Sequence, residues 1–110
     1  MIRTATVHEA AQARALRTAT IIDVRSSDEF ASGHIEGATF MPLHVVPVRL
    51  SELERSATYY VVCQSGGRSA QACAYLADHG FDVRSVEGGM NAWRSAGLPV
   101  ATGLHTASHA

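Results

Sequence analysis

Apolar positions along this chain recur with two different periods, one suited to helices and one to short buried strands. Thr6 followed by Glu9 fits a capping box, and Val7 to Leu16 is then Ala-rich with apolar positions at helical spacing. Ile21-Ile22-Asp23-Val24 is a β-branched run that reads as a buried strand. Ser27 to Gly33 suits a helix of one or two turns with an N-cap and a closing Gly, and Ala38-Thr39-Phe40-Met41 is a second strand stopped by Pro42. Pro47 to Glu54 is expected to be helical, with Pro47 in the first turn. Tyr59-Tyr60-Val61-Val62 is the clearest strand, followed by a Gly-containing loop and a helix over Ser69 to His79 closed by Gly80. Asp82 to Val86 is another strand, and Gly89 to Ala96 a last helix ended by Gly97 and Pro99. This alternation predicts an α/β fold with a mainly parallel sheet. Residues 1–100 are expected to form one domain and 101–110, small and polar, a flexible C-terminal tail.

Composition narrows the classes that fit. The 110 residues suit one domain, and 46% hydrophobic with 17% charged residues is a globular balance. Nine Arg, with no Lys, nearly cancel ten acids, so no general attraction to nucleic acid or anionic membranes is expected. No apolar run approaches the roughly 20 residues that span a bilayer, and Met1 to Thr6 lacks the apolar core of a secretion signal. Two cysteines do not make a disulfide framework, and the six His are scattered without zinc-site spacing. The expectation is a cytoplasmic protein with reduced thiols and no metal or cofactor. No apolar stripe is left over, so a monomer or weak dimer is expected.

The candidate chemistry lies where the strand ending at Val62 meets Cys63-Gln64-Ser65-Gly66-Gly67-Arg68-Ser69. Ligands of open α/β sheets sit at the carboxyl ends of strands. A helix N-terminus presents unpaired N–H groups there, and Gly66 and Gly67 let the backbone curl with positive φ so that amides point inward as a nest. Such a cradle favours a thiolate: free Cys has a pKa of about 8.5, which a helix N-terminus lowers to roughly 3.5–7.5. Arg68 adds a positive charge at the rim. A core thiol would need no such loop, whereas Cys73, on the apolar face of the next helix, reads as packing.

The segment Cys63 to Ser69 resembles the active-site loop of the rhodanese family. Ile22-Asp23-Val24-Arg25 with Glu29-Phe30, Gly33-His34-Ile35-Glu36-Gly37-Ala38, and Val86-Glu87-Gly88-Gly89 with Trp93 and Gly97-Leu98-Pro99-Val100 are similar to other signatures of that family, in its order, over about residues 6 to 100. The resemblance implies a central, mainly parallel sheet of about five strands with helices on both faces. It also implies a sulfurtransferase: Cys63 takes sulfur from a donor such as thiosulfate, holds it as a persulfide cradled by Gln64 to Ser69, and gives it to a thiol or cyanide. The partners so implied are a small sulfur donor and a thiol acceptor, small or protein-borne. Four residues separate Cys63 from Arg68; relatives acting on phosphate esters or arsenate have one more, so that activity ranks low. A non-catalytic binding or regulatory module on the same fold is the other alternative. Thiosulfate-specialised relatives often carry basic residues inside the loop, where Gln64 and Ser65 are neutral, so a persulfide donor fits equally.

Asp23 and Arg25 are implied to support the loop through charge-assisted hydrogen bonds, with a purely structural ion pair as the alternative. Glu29 can pair with either Arg25 or Arg68, and Arg68 either binds the donor or braces the loop. His34 reads as a turn-stabilising residue and Trp93 as core.

Overall fold

The computed structural model describes residues 2–103. Five parallel strands form one sheet: β1 (Thr4–Ala5), β2 (Thr20–Asp23), β3 (Thr39–Phe40), β4 (Thr58–Val62) and β5 (Asp82–Val86), in the order β1-β5-β4-β2-β3. Helices α1 (Val7–Ala15), α2 (Ser27–Ser32), α3 (Gly67–Asp78) and α4 (Gly89–Ser95) connect them. The α/β architecture is the one the hydrophobic pattern implies.

Strand alternation explains how one sheet supports two cores. Tyr59, Val61 and Cys63 point into a cluster with Ile22, Val24, Ala72, Cys73 and Leu76, so α3 covers that face. Val62 points the other way, into a cluster with Val7, Phe30, Val86, Met90 and Trp93, covered by α1, α2 and α4. β4 lies between β2 and β5 and is buried on both faces, which is why it is the most apolar strand. Its carboxyl end is therefore fixed by neighbours on both sides and above and below.

Local signals account for the helix starts. The Thr6 hydroxyl accepts from Glu9 N–H at 3.1 Å and Thr6 N–H donates to the Glu9 carboxylate at 2.8 Å, the expected capping box. Ser26 makes the same box with Glu29 at the start of α2. Gly80 follows α3 at φ +86°, a left-handed position that suits a closing glycine.

Two expectations are corrected. The fifth strand is β1, absent from the reading of the hydrophobic pattern: only two residues long, it pairs with β5 at the sheet edge. The segment 47–54 is not an α-helix but part of a stretch with two one-turn 3₁₀ helices, Leu43–Val45 and Leu50–Glu52. Pro47 has no N–H to contribute, and Leu43, Val45, Val46, Leu50 and Leu53 all turn to the core, which one face of a regular helix does not allow. At the start of the segment 101–110, Ala101 exchanges both backbone hydrogen bonds with His34, at 2.8 and 2.9 Å, and Gly103 N–H donates to Ala31 O. The remainder of that segment, 104–110, lies outside the described residues. Among the described residues no helix is long and apolar enough to cross a membrane.

Candidate active site

Cys63 follows β4 directly and its side chain is 1% exposed. The loop after it folds back so that Gly66 N–H donates to Cys63 Sγ at 3.1 Å. Ser69, in the first turn of α3, places its hydroxyl 3.5 Å from the sulfur. Two effects oppose each other here. Burial pushes the thiol up, but hydrogen bonds from the Ser69 hydroxyl and from the N–H groups of Ser69, Gly66 and Ser65 outweigh it, and the net pKa lies below the ordinary thiol value. The nest is thus formed by part of the loop. Gly66 has a positive φ of +126°, whereas Gly67 is the first residue of α3 and takes no such conformation, a correction to the expectation that both glycines do so.

Asp23 and Arg25 form a buried ion pair, 0% and 1% exposed, with Arg25 Nη2 2.8 Å from Asp23 Oδ2. Arg25 Nε also donates to Asp23, and Nη2 donates to Gly33 O at 2.8 Å. Its remaining nitrogen, Nη1, donates to Gln64 Oε1 at 3.1 Å. The other end of the Gln64 amide, Nε2, donates to Asn91 Oδ1 at 2.7 Å. A chain of contacts therefore runs Asp23–Arg25–Gln64–Asn91, from β2 through the loop to α4. The Gln64 side chain is engaged at both ends.

Arg68 is held by Glu29 in a two-pronged pair at 2.7 and 2.9 Å. Of the two partners open to Glu29, the structure pairs it with Arg68, which joins the start of α3 to α2. The Arg68 guanidinium beside it, opposed in part by burial and aided by Ser26, brings the Glu29 carboxyl down to about 2. One carboxylate thus caps α2 and clamps the loop.

The floor of the loop comes from α4. Met90 N–H donates to Cys63 O at 2.8 Å and Asn91 N–H to Gln64 O at 3.0 Å. This approach needs a residue without a side chain at 89: a Cβ on Gly89 would lie 2.3 Å from Cys63 O and 2.7 Å from Gln64 O. Gly89 also has φ +54°. Asn91 and Gly89 were not among the residues singled out as contacts of the loop, although the Gly88-Gly89 pair before a helix was the available signal. Ser85, buried on β5 with its hydroxyl 2.7 Å from that of Ser69, was also missed. A small polar residue inside an otherwise buried strand is the signal that could have found it.

The remaining residues fall outside this cluster of contacts. His34 is buried, stacks on Phe30 with ring centroids 3.7 Å apart, and donates from Nδ1 to Phe30 O, a structural role. Trp93 is core, its indole N–H donating to Pro99 O at 2.8 Å. Cys73 is fully buried, and burial, with the Cys63 charge adding to it, pushes its thiol up to about 12. Among the described residues no three His, Cys, Asp or Glu side chains gather as metal ligands. A cavity of about 730 Å³ lies between the 40–47 segment and α3, lined among others by Arg25, Arg68, Phe40, Leu43, Ala72 and Tyr75.

The chain matches the family described as rhodanese-like domain over residues 6–96. It is 41% identical over 81 residues to a sulfurtransferase of Allochromatium vinosum, covering 73% of this chain and 76% of that protein. It is also 41% identical to the thiosulfate sulfurtransferase GlpE of Pseudomonas entomophila, over 76% of this chain and 80% of that protein. Among solved structures, a rhodanese-related protein from Thermoplasma volcanium superposes with a TM-score of 0.85 at 30% identity, covering 94% of this chain and 99% of that one. A rhodanese-like domain protein from Staphylococcus aureus gives 0.78 at 36% identity, over 84% and 91%.

Proposed function

Because the chain belongs to the rhodanese-like domain family, we propose that it is a sulfurtransferase that carries sulfane sulfur as a persulfide on Cys63. The observation that carries this reading is the amide of Gly66 donating to Cys63 Sγ at the N-terminus of α3, with the Ser69 hydroxyl beside it. These donors favour the thiolate, which is the nucleophile.

The Cys63 thiolate attacks the outer sulfur of a donor. With thiosulfate, the donor S–S bond breaks, sulfite leaves with the electron pair, and a new bond forms between Sγ and the transferred sulfur. The negative charge moves to that outer sulfur, at the mouth of the nest formed by the amides of Ser65, Gly66 and Ser69. An acceptor thiolate or cyanide then attacks the outer sulfur, and Cys63 leaves as the thiolate that began the cycle. No base is required if the starting group is already ionised. The donors around Sγ stabilise both the nucleophile and the leaving group because they are the same atom.

The charges bear on the donor. Arg25 and Arg68 each spend their guanidinium on a carboxylate, Asp23 and Glu29, so neither stands free for a sulfonate. The adjoining cavity is mostly apolar. Both features favour an organic persulfide at least as well as thiosulfate. Incubation with thiosulfate or glutathione persulfide should add about 32 Da to the intact protein, as persulfidation requires. Cyanide should then release thiocyanate and restore the mass. Cys63→Ser should show neither. Full activity in that variant, or no added mass with any donor, would overturn the proposal.

A further inference from the structure

Ser85 occupies a central position for a residue with no assigned role. Strand β5 pairs with β1 and β4, and Ser85 lies opposite Val61, two residues before Cys63. It alternates with Arg84 and Val86, so its side chain shares the face of Val83, beneath α3. It is 4% exposed, and its hydroxyl lies 2.7 Å from the Ser69 hydroxyl.

Counting protons gives this contact a direction. A serine hydroxyl has one proton to donate and two lone pairs. Ser69 Oγ has three neighbours: Cys63 Sγ at 3.5 Å, Gly66 O at 3.1 Å and Ser85 Oγ at 2.7 Å. If Ser69 donated to Ser85, its only proton would be unavailable to the sulfur, and the buried proton of Ser85 would be left without this partner. If Ser85 donates, both hydroxyls are satisfied and the proton of Ser69 is free to choose between Gly66 O and Sγ. Gly66 O can release it, because that carbonyl also accepts from Ala70 N–H at 3.1 Å. A neutral Cys63 donates its S–H to Ser69 while Ser69 donates to Gly66 O. An anionic Cys63 draws the Ser69 proton to itself.

We propose that Ser85 is a positioning residue for Cys63, whose hydroxyl donates to Ser69 and thereby turns the Ser69 proton onto the sulfur whenever that sulfur is anionic. The idea rests on Cys63 being the reactive thiol. It extends to the persulfide: once sulfur is loaded, Sγ is neutral and the Ser69 proton returns to Gly66 O. The charged groups around Cys63 are Arg68 with Glu29 and Asp23 with Arg25, and α3 also carries Cys73, Tyr75 and Asp78 as titratable groups. Substitution at 85 leaves all of them in place.

The test is the pH profile of iodoacetamide alkylation at Cys63, followed on the tryptic peptide 56–68, which excludes Cys73. Ser85→Ala should move the midpoint upward and slow alkylation below it roughly fivefold, the equivalent of one lost hydrogen bond. Ser85→Thr and Ser85→Val have the same shape and differ by a hydroxyl, so Thr should resemble the wild type and Val should resemble Ala. In a Ser69→Ala background, Ser85→Ala should add no further shift. Unchanged profiles in the Ala and Val variants, a Thr profile matching Val, or equal shifts in both backgrounds would each overturn the proposal. The readout involves no sulfur transfer. A protein whose Cys63 alkylates as expected yet never loads sulfur would sink the sulfurtransferase reading and leave the serine relay standing.

Discussion

Cys63 and Cys73 sit ten residues apart, at 1% and 0% exposure, and point into the same apolar cluster. Their acidities move in opposite directions, Cys63 below the ordinary thiol value and Cys73 up to about 12. Burial acts against the thiolate at both positions. What differs is the supply of donors: Cys63 ends a strand, where amides of a loop and a helix start are unpaired, whereas Cys73 lies mid-helix, where the backbone N–H groups are already used. Exposure does not separate the two cysteines of this protein; unpaired donors do.

The comparison breaks first on native-state alkylation. At pH 7 a thiol held near 12 has roughly a thousandfold or more less thiolate than an ordinary one, so iodoacetamide should label Cys63 and spare Cys73. Comparable rates on the folded protein would remove the distinction. The next effect concerns what holds each region in place. Removing Arg25 strands the Asp23 carboxylate in the interior and frees Gln64, so Arg25→Ala should cost about 3–5 kcal/mol in urea unfolding. Cys73→Ala removes only packing and should cost about 1–2 kcal/mol. Similar costs would mean that the polar bracing contributes little.

The smallest effect separates charges from amides. Glu29→Gln leaves Arg68 positive and uncompensated, at a cost of about 1 kcal/mol or less because the pair is partly exposed. The Cys63 alkylation midpoint should move only slightly, downward; a large drop would show that charge rather than amide donors governs the sulfur. The stability difference has a defined sign. Glu29 is depressed to about 2 in the folded protein, so its contribution is complete above the ordinary carboxylate range and disappears as pH falls to about 2. Thermal unfolding of both proteins across that range should converge at the acid end.

The parts of the molecule legible in the sequence are those with local causes. The capping box of α1, the apolar run of β4 and the glycine after α3 are each decided within a few residues, and the Cys63 loop was located from its position between strand and helix. β1 was not legible, because Thr4 and Ala5 carry no strand signature and pair only because β5 offers an edge. The 43–53 stretch misled because its apolar residues are spaced for a core that wraps around them. At the site, the roles of Asp23 and Arg25 were left open, and the structure resolves their place: they reach Gln64 through a guanidinium whose last nitrogen is spent there. Ser85 and Asn91 escaped because their partners lie 16 and 27 residues away in the chain. No periodicity encodes contacts of that range.

The absent side chain at Gly89 has a consequence for engineering. The carbonyls of residues 63 and 64 rest on the first turn of a helix that begins only after another strand has intervened, so the Cys63 loop is not a portable cassette. Grafting residues 63–69 onto a different α/β scaffold would carry the letters without the seat they rest on. A successful transplant would have to bring residues 88–91 along as a matched second piece, held at the same height on the host sheet.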